Sequence, residues 1–272
     1  AFSDRFYKVC VANGKNATRV DIPWGEAIKP EKVREELSRG DFDAVTIVHN
    51  ETSTGVMSPL ADIAEVVAQQ DDVFLLVDAI TSAAAVPIHL GEMATVDYLT
   101  TGSQKALALP PGLALLAVSE RALERAETIE NRGLYFDILA MHKSWKKNQT
   151  PSTPSIALMQ ALKDRLAMIL ADEDRWYGGH QERAELTREW ARDRFDLFAE
   201  TGFESVSLTC IENTRGISIA ALNQTLREND MFLSNGYGDL KEKTFRIGHM
   251  GAVTLDDTRE LLGLIDQFIA SR

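Results

Sequence analysis

The stretch Val96-Asp97-Tyr98-Leu99-Thr100, followed by Thr101-Gly102-Ser103-Gln104-Lys105, decides the fold class. The first five residues read as a buried strand. The next five put a lysine just beyond that strand's carboxyl end. A linker, Ala106-Leu107-Ala108-Leu109-Pro110-Pro111-Gly112, leads to a second apolar run over 113–118. Ligands of open α/β sheets bind outside the carboxyl ends of the strands. A partly desolvated amine there has its pKa lowered and can form a Schiff base with a carbonyl. The competing reading is a surface lysine in a turn.

Working outward, the upstream chain alternates between strand and helix patterns. Residues 43–48 form a buried strand, and 50–59 a polar loop rich in Ser and Thr. Residues 60–70 carry apolar positions at helical spacing (Leu60, Ile63, Val67). Residues 73–77 are the most apolar strand, and it ends in Asp78. Further upstream, 29–40 reads as a helix with Pro30 in its first turn and Gly40 at its end. Residues 7–12 are predicted as a short strand. Strands separated by helical segments indicate parallel βαβ units, and apolar runs without alternation indicate a sheet covered on both faces.

Downstream, 121–129 is a short helix, and 131–148 is mixed. The mixed stretch holds an aromatic pair (Tyr135, Phe136) and a basic cluster (His142, Lys143, Lys146, Lys147). Residues 149–154 read as a loop and helix entry, with Ser152 or Thr153 as cap and Pro154 in the first turn. Two long helices are predicted at 155–170 and 179–200. Strands are predicted at 205–211, 216–220 and 244–247, and helices at 222–228 and 255–271. The predicted class is α/β, a mainly parallel sheet covered by helices plus a smaller C-terminal α/β domain. The expected division is 1–150 and 151–272, with a long helix as connector.

The bulk numbers exclude several classes. The chain has 272 residues, 44% hydrophobic and 26% charged, an ordinary globular composition. A net charge of −12 argues against nucleic-acid or anionic-membrane partners, but leaves room for a local basic site for a small anion. No apolar run reaches the roughly 18 residues a membrane span needs, and Ala1-Phe2-Ser3-Asp4-Arg5 lacks the pattern of a signal peptide. Cys10 and Cys210 each sit in an apolar run. They read as buried free thiols in a reducing cytoplasm rather than a disulfide. No Cys/His spacing suggests a metal, and there is no P-loop or GxGxxG. The chain lacks an initiator Met and opens on what reads as a helix end in mid-domain, so a fragment is expected.

Four features stand at strand ends or in adjoining loops. Asp78 ends an apolar strand, where a carboxylate is costly unless paired. It either caps a helix after the strand or pairs with a cationic ring nitrogen or a metal. Thr52 lies in His49-Asn50-Glu51-Thr52-Ser53-Thr54-Gly55 and is either turn chemistry or a ligand contact. Ser103, Gln104 and Lys105 form the third group. Arg246, in Phe245-Arg246-Ile247-Gly248, either makes an internal ion pair or offers its fork to a carboxylate. Asp78 and Lys105 end successive strands, so they can face one crevice. An acid that keeps a pyridine nitrogen protonated, and a lysine that takes a carbonyl and then moves a proton, are the two groups pyridoxal phosphate chemistry needs. An arginine in a separate layer would fix a substrate carboxylate.

Taken together, His49 to Val56, Val77-Asp78-Ala79-Ile80-Thr81-Ser82, Gly102 to Leu107 with Pro110-Pro111-Gly112, Gln149-Thr150-Pro151, and Phe245 to Gly248 resemble the class V aminotransferases of the fold-type I pyridoxal phosphate enzymes. The alanine/serine–glyoxylate group and its phosphoserine aminotransferase relatives are the most similar. The resemblance implies pyridoxal 5'-phosphate as cofactor, with Lys105 as Schiff-base lysine and proton shuttle and Asp78 on the pyridinium nitrogen. It implies Thr52 on the phenolic oxygen, and Gln104 on the phosphate with Ser103 nearby. Gln149 and Thr150 would reach the partner's cofactor across a homodimer interface with shared active sites. Arg246 would hold the substrate α-carboxylate. The implied activity moves an amino group between alanine or serine and glyoxylate or pyruvate. Gln104 stands where the cysteine desulfurases of the class carry histidine, which argues against desulfuration. The family's upstream part is not in the chain: the gating segment, a Gly/Ser-rich phosphate turn and the residue that stacks on the cofactor ring. Three alternatives stay open. One is phosphoserine transamination, for which the basic cluster could hold a phosphate. Another is a truncated, non-catalytic dimerisation module. The third is a lyase or epimerase on the same scaffold.

Overall fold

The computed structural model describes residues 1–271. Its first sheet has the order β1 (Ala44–Val48), β4 (Phe74–Asp78), β5 (Tyr98–Gly102), β6 (Ala114–Val118). β1, β4 and β5 run parallel, with Val48 opposite Asp78 and Asp78 opposite Thr100. Their carboxyl ends therefore lie side by side. β6 returns antiparallel, with Ala114 opposite Gly102. Between β1 and β4 the chain makes a small hairpin, β2 (Asn50–Glu51) with β3 (Val56–Met57), and then α3 (Leu60–Val67). The link from β4 to β5 holds only a short 3-10 turn at Leu90–Glu92, because Pro87 and Gly91 interrupt any longer helix.

The core beneath this sheet is built by apolar residues at helical spacing. Ile63, Val66 and Val67 of α3 meet Leu75 and Val77 of β4, with Val33 and Leu37 from α2 (Pro30–Leu37) beside them. Leu75 and Val77 are fully buried and sit on one face of a strand whose other positions are half-buried.

A second core lies in the C-terminal half. α4 (Glu120–Glu127), α5 (Ile138–Trp145), α6 (Ile156–Ala171) and α7 (Glu173–Arg194) lead to an antiparallel sheet. Its order is β7 (Asp196–Leu197), β8 (Leu208–Glu212), β10 (Thr244–Gly248), β9 (Ser234–Asn235). Trp190 of α7, Leu222 and Leu226 of α8 (Ile219–Arg227), Phe245 and Ile247 of β10, and Ile265 of α9 (Leu255–Ala270) pack together there.

Three elements differ from the sequence reading. Residues 7–12 are not a strand but part of α1 (Phe2–Ala12). The run Val9-Cys10-Val11 favours a strand only if it is buried, and both valines are about half exposed. Cys10 is accordingly half-buried, while Cys210 is buried; neither is in a disulfide. Residues 216–220 are a turn and helix start: the Ser218 side chain caps α8 by accepting from Ala221 N. The second long helix begins and ends six residues earlier than its sequence pattern predicts, because Asp172 caps it at Arg175 N and Phe195 leaves it in extended backbone to enter the core.

Candidate active site

The carboxyl ends of β1, β4 and β5 open into a cavity of about 330 Å³. Thr52, Asp78, Gln104 and Lys105 line it, as the sequence predicts, together with Asn50, Ile80 and Thr81. α1 closes one side with Phe2, Arg5, Phe6 and Val9.

Asp78 is the last residue of β4, and its carboxylate is half-buried. Ile80 N donates to its Oδ1 at 2.9 Å, and among the described residues its side chain makes no other hydrogen bond. Burial raises the Asp78 pKa and the Glu51 charge adds to the rise, against the Ile80 donor, Lys105 and Arg5. The acid thus has an unused oxygen at the cavity.

Lys105 lies three residues beyond β5. Among the described residues its Nζ has neither a hydrogen-bond nor an ion-pair partner. Burial lowers its pKa, the Arg246 charge lowers it further, and Asp78 opposes both. An amine with a lowered pKa and no partner is poised to act as nucleophile and base.

Thr52 Oγ1 and Thr81 Oγ1 share a hydrogen bond of 2.6 Å, which ties the β2–β3 hairpin to the loop after Asp78. Gly55 makes the hairpin turn possible: its φ is +70°, and an added Cβ would lie 3.0 Å from Cys210 N on β8. Arg246, in the middle of β10, does not line the cavity but reaches its edge. Its Nη1 donates to Thr52 O at 3.1 Å, and its Nε and Nη2 donate to Asn235 O at 3.3 and 3.1 Å. Among the described residues no carboxylate stands within ion-pair distance of it.

Two predicted groups lie elsewhere. Ser103 is fully buried beneath the loop, where its Oγ donates to Pro110 O at 2.7 Å and accepts from Leu113 N at 3.3 Å. It shapes the turn that presents Lys105 rather than facing the cavity. Gln149 and Thr150 line a separate, open hollow with Trp145, Ile156 and Met159. The basic cluster His142, Lys143, Lys146 and Lys147 lies at α5 and its C-terminal end, outside the cavity lining.

Residues that sequence reasoning misses are Phe2, Arg5 and Phe6. It expects the ring-stacking position upstream, yet Phe2 is among the residues that line the cavity. The only sequence signal is an aromatic residue at each of Phe2 and Phe6, four apart on one helix face.

The chain matches the class-V aminotransferase family over residues 7–236. It is 37% identical to an uncharacterized aminotransferase of Methanocaldococcus jannaschii, over 92% of this chain and 66% of that protein. It is 31% identical to the L-aspartate–glyoxylate aminotransferase of Paracoccus denitrificans, over 97% of this chain and 68% of that protein. A crystal structure of alanine–glyoxylate aminotransferase from Nostoc superposes with a TM-score of 0.92 at 28% identity, covering 99% of this chain and 73% of that one. The chain belongs to the class-V aminotransferase family and has the fold-type I α/β architecture. It spans about two thirds of the length of these curated relatives.

Proposed function

We propose that this chain carries the lysine half of a pyridoxal 5'-phosphate-dependent aminotransferase. The observation that carries the reading is Lys105, a partnerless amine of lowered pKa in the same cavity as Asp78, with Arg246 tethered to that cavity through Thr52. The residues present fit the cofactor. Asp78 has a free oxygen for a protonated ring nitrogen, Phe2 has an aromatic face, and Thr52 and Gln104 have polar groups at the lining. When bound, the cofactor supplies an electron sink for the carbon that loses its proton.

The chain's own residues then have distinct tasks. Lys105 anchors the cofactor through Nζ and, once released, takes and returns a proton at that atom. Its lowered pKa keeps part of the amine neutral for this. Asp78 keeps the ring nitrogen protonated. Arg246 is held by two backbone carbonyls and offers its remaining N–H groups to a substrate carboxylate. We read the substrates as a small amino acid, alanine or serine, and a small 2-oxo acid, glyoxylate or pyruvate. Among relatives, one is named for aspartate and glyoxylate and another for serine and glyoxylate.

We further propose a homodimer. Trp145 and Ile156 expose more than half of their surface beside Gln149 and Thr150. A second copy seated there would cover them and bring Gln149 and Thr150 to its own cofactor.

The test is an absorbance titration of the chain with pyridoxal phosphate, followed by borohydride reduction and peptide mapping. A reduced adduct on Lys105 is the expected result. A folded chain that traps nothing on Lys105 overturns the reading. Product analysis with alanine and glyoxylate then separates transamination from elimination or epimerisation.

A further inference from the structure

Glu51 does not line the cavity, yet its carboxylate bonds to the lining residue Phe2 through one oxygen and to Ser53, next to the lining residue Thr52, through the other. Oε2 accepts from Phe2 N at 2.9 Å, Ser3 N at 3.2 Å and Ser3 Oγ at 3.3 Å, with the Ala1 nitrogen at 3.0 Å. Oε1 accepts from Ser53 N at 3.1 Å and Ser53 Oγ at 2.8 Å. Phe2 begins the helix that closes one side of the cavity, and Ser53 is next to the lining residue Thr52. The Glu51 side chain is only 14% exposed.

The rest of the helix is loosely packed, although the Phe2 ring meets the Tyr237 ring at 5.9 Å. No residue of α1 is fully buried, and Val9 and Val11 are about half exposed. The ion pairs of Asp4 with Lys8 and Arg19 lie in solvent, where such pairs are weak. Hydrophobic burial therefore fixes the helix only in part: Phe2 and Phe6 are half-buried, and Val9 beyond them is exposed. The Glu51 carboxylate, anchored in the β2–β3 hairpin, adds a multiply bonded link to the start of this helix.

We propose that Glu51 is a positioning residue of this site: it clamps α1 to the Thr52 hairpin and thereby holds Phe2 at the cavity that Lys105 and Asp78 also line. The inference rests on the proposed cofactor for its consequence, but the clamp itself does not need the cofactor. Replacing the carboxylate by an amide leaves the shape and removes the charge and one acceptor. α1 is then freed, and the cavity loses its aromatic wall for part of the time.

The experiment uses the full chain with Glu51→Gln and, as a milder variant at the other pole, Ser53→Ala. Hydrogen exchange of the cofactor-free protein reads the clamp directly. Amides of α1 are expected to exchange faster in Glu51→Gln, with the sheet amides unchanged. Pyridoxal phosphate titration reads the consequence: Kd rises about tenfold, the size of one lost charged hydrogen bond. Ser53→Ala moves Kd the same way by less. The double variant is no worse than Glu51→Gln alone, because both act through one carboxylate; additive losses would overturn the clamp. Unchanged α1 exchange in Glu51→Gln also overturns it, as does wild-type Kd where the wild-type chain traps cofactor on Lys105. A wild-type chain that traps none instead sinks the cofactor reading and leaves the exchange result to decide the clamp. Should Glu51→Gln not fold, Ser53→Ala is read by the same two measurements.

Discussion

Lys105 and Arg246 come from different sheets and are held in opposite ways. Lys105 hangs from a turn beyond a parallel strand and has no partner among the described residues. Arg246 stands in the middle of an antiparallel strand with three of its N–H groups bound to backbone carbonyls. The difference matches the two tasks proposed. A group that carries a proton between positions needs free rotamers and a lowered pKa. A group that docks a carboxylate needs a fixed fork and a permanent charge. The parallel sheet offers the first at its strand ends, and the antiparallel sheet offers the second along its rigid register.

The largest effect that would break this comparison is at Lys105. Lys105→Ala is expected to abolish covalent cofactor capture and to lower turnover on the order of 10³-fold, the range of a lost general acid–base. Its circular dichroism should match wild type, since Nζ bonds to nothing in the described structure. Capture that survives the substitution would move the anchoring amine elsewhere. Next in size is Asp78→Asn, with turnover lowered on the order of 10²-fold while cofactor still binds. An amide cannot keep a ring nitrogen protonated, whereas the shape of the site is retained. Near wild-type turnover would remove Asp78 from that role.

Arg246→Ala tests the fixed half of the pair. The KM for the amino donor should rise roughly tenfold to a hundredfold, from about 1.5–3 kcal/mol for a charged hydrogen bond. Cofactor capture at Lys105 should persist. An unchanged KM would place the carboxylate dock on another cation, and Arg5 at the cavity lining is the one to test next.

The same contrast explains how much of the site is legible in the sequence. Lys105 and Asp78 lie beyond or at the ends of strands whose apolar runs announce them, so their convergence comes from parallel topology, while Thr52 joins them through the β2–β3 hairpin beyond β1. Their hydrogen-bond geometry adds only detail. Ser103 does not line the cavity although it is adjacent to Gln104, because sequence adjacency does not say which way a turn points a hydroxyl. Phe2 and Glu51 are separated by 49 residues, and nothing local in either segment points to the other. α1 defeats a local reading for the same reason. Val9-Cys10-Val11 has strand propensity, and what overrides it is tertiary: a helix capped from another element and left half exposed. At 216–220 the alternation of Ile217 and Ile219 imitates a strand, while Ser218 between them is a cap.

The smallest effect is also the one that couples the two cations. The Lys105 pKa lies below its ordinary 10.5, first because of burial and next because of the Arg246 charge, with Asp78 pulling the other way. Capture of a carbonyl requires the neutral amine, so its rate should climb with pH and reach half its plateau below pH 10.5. Arg246→Gln removes the charge and keeps a polar side chain, though it is too short to keep both the Thr52 O and Asn235 O bonds, so circular dichroism is recorded alongside. With the positive neighbour gone, the ammonium form becomes easier to keep, and the midpoint should move upward toward 10.5. Asp78→Asn works in the same experiment with the opposite sign: loss of the negative neighbour should move the midpoint down. Stopped-flow absorbance across a pH series measures all three midpoints. Opposite displacements in the two variants would show Lys105 titrating between a fixed cation and a fixed acid, as the geometry has it. A common displacement, or none, would mean that burial alone sets the amine and that the two sheets act on it independently.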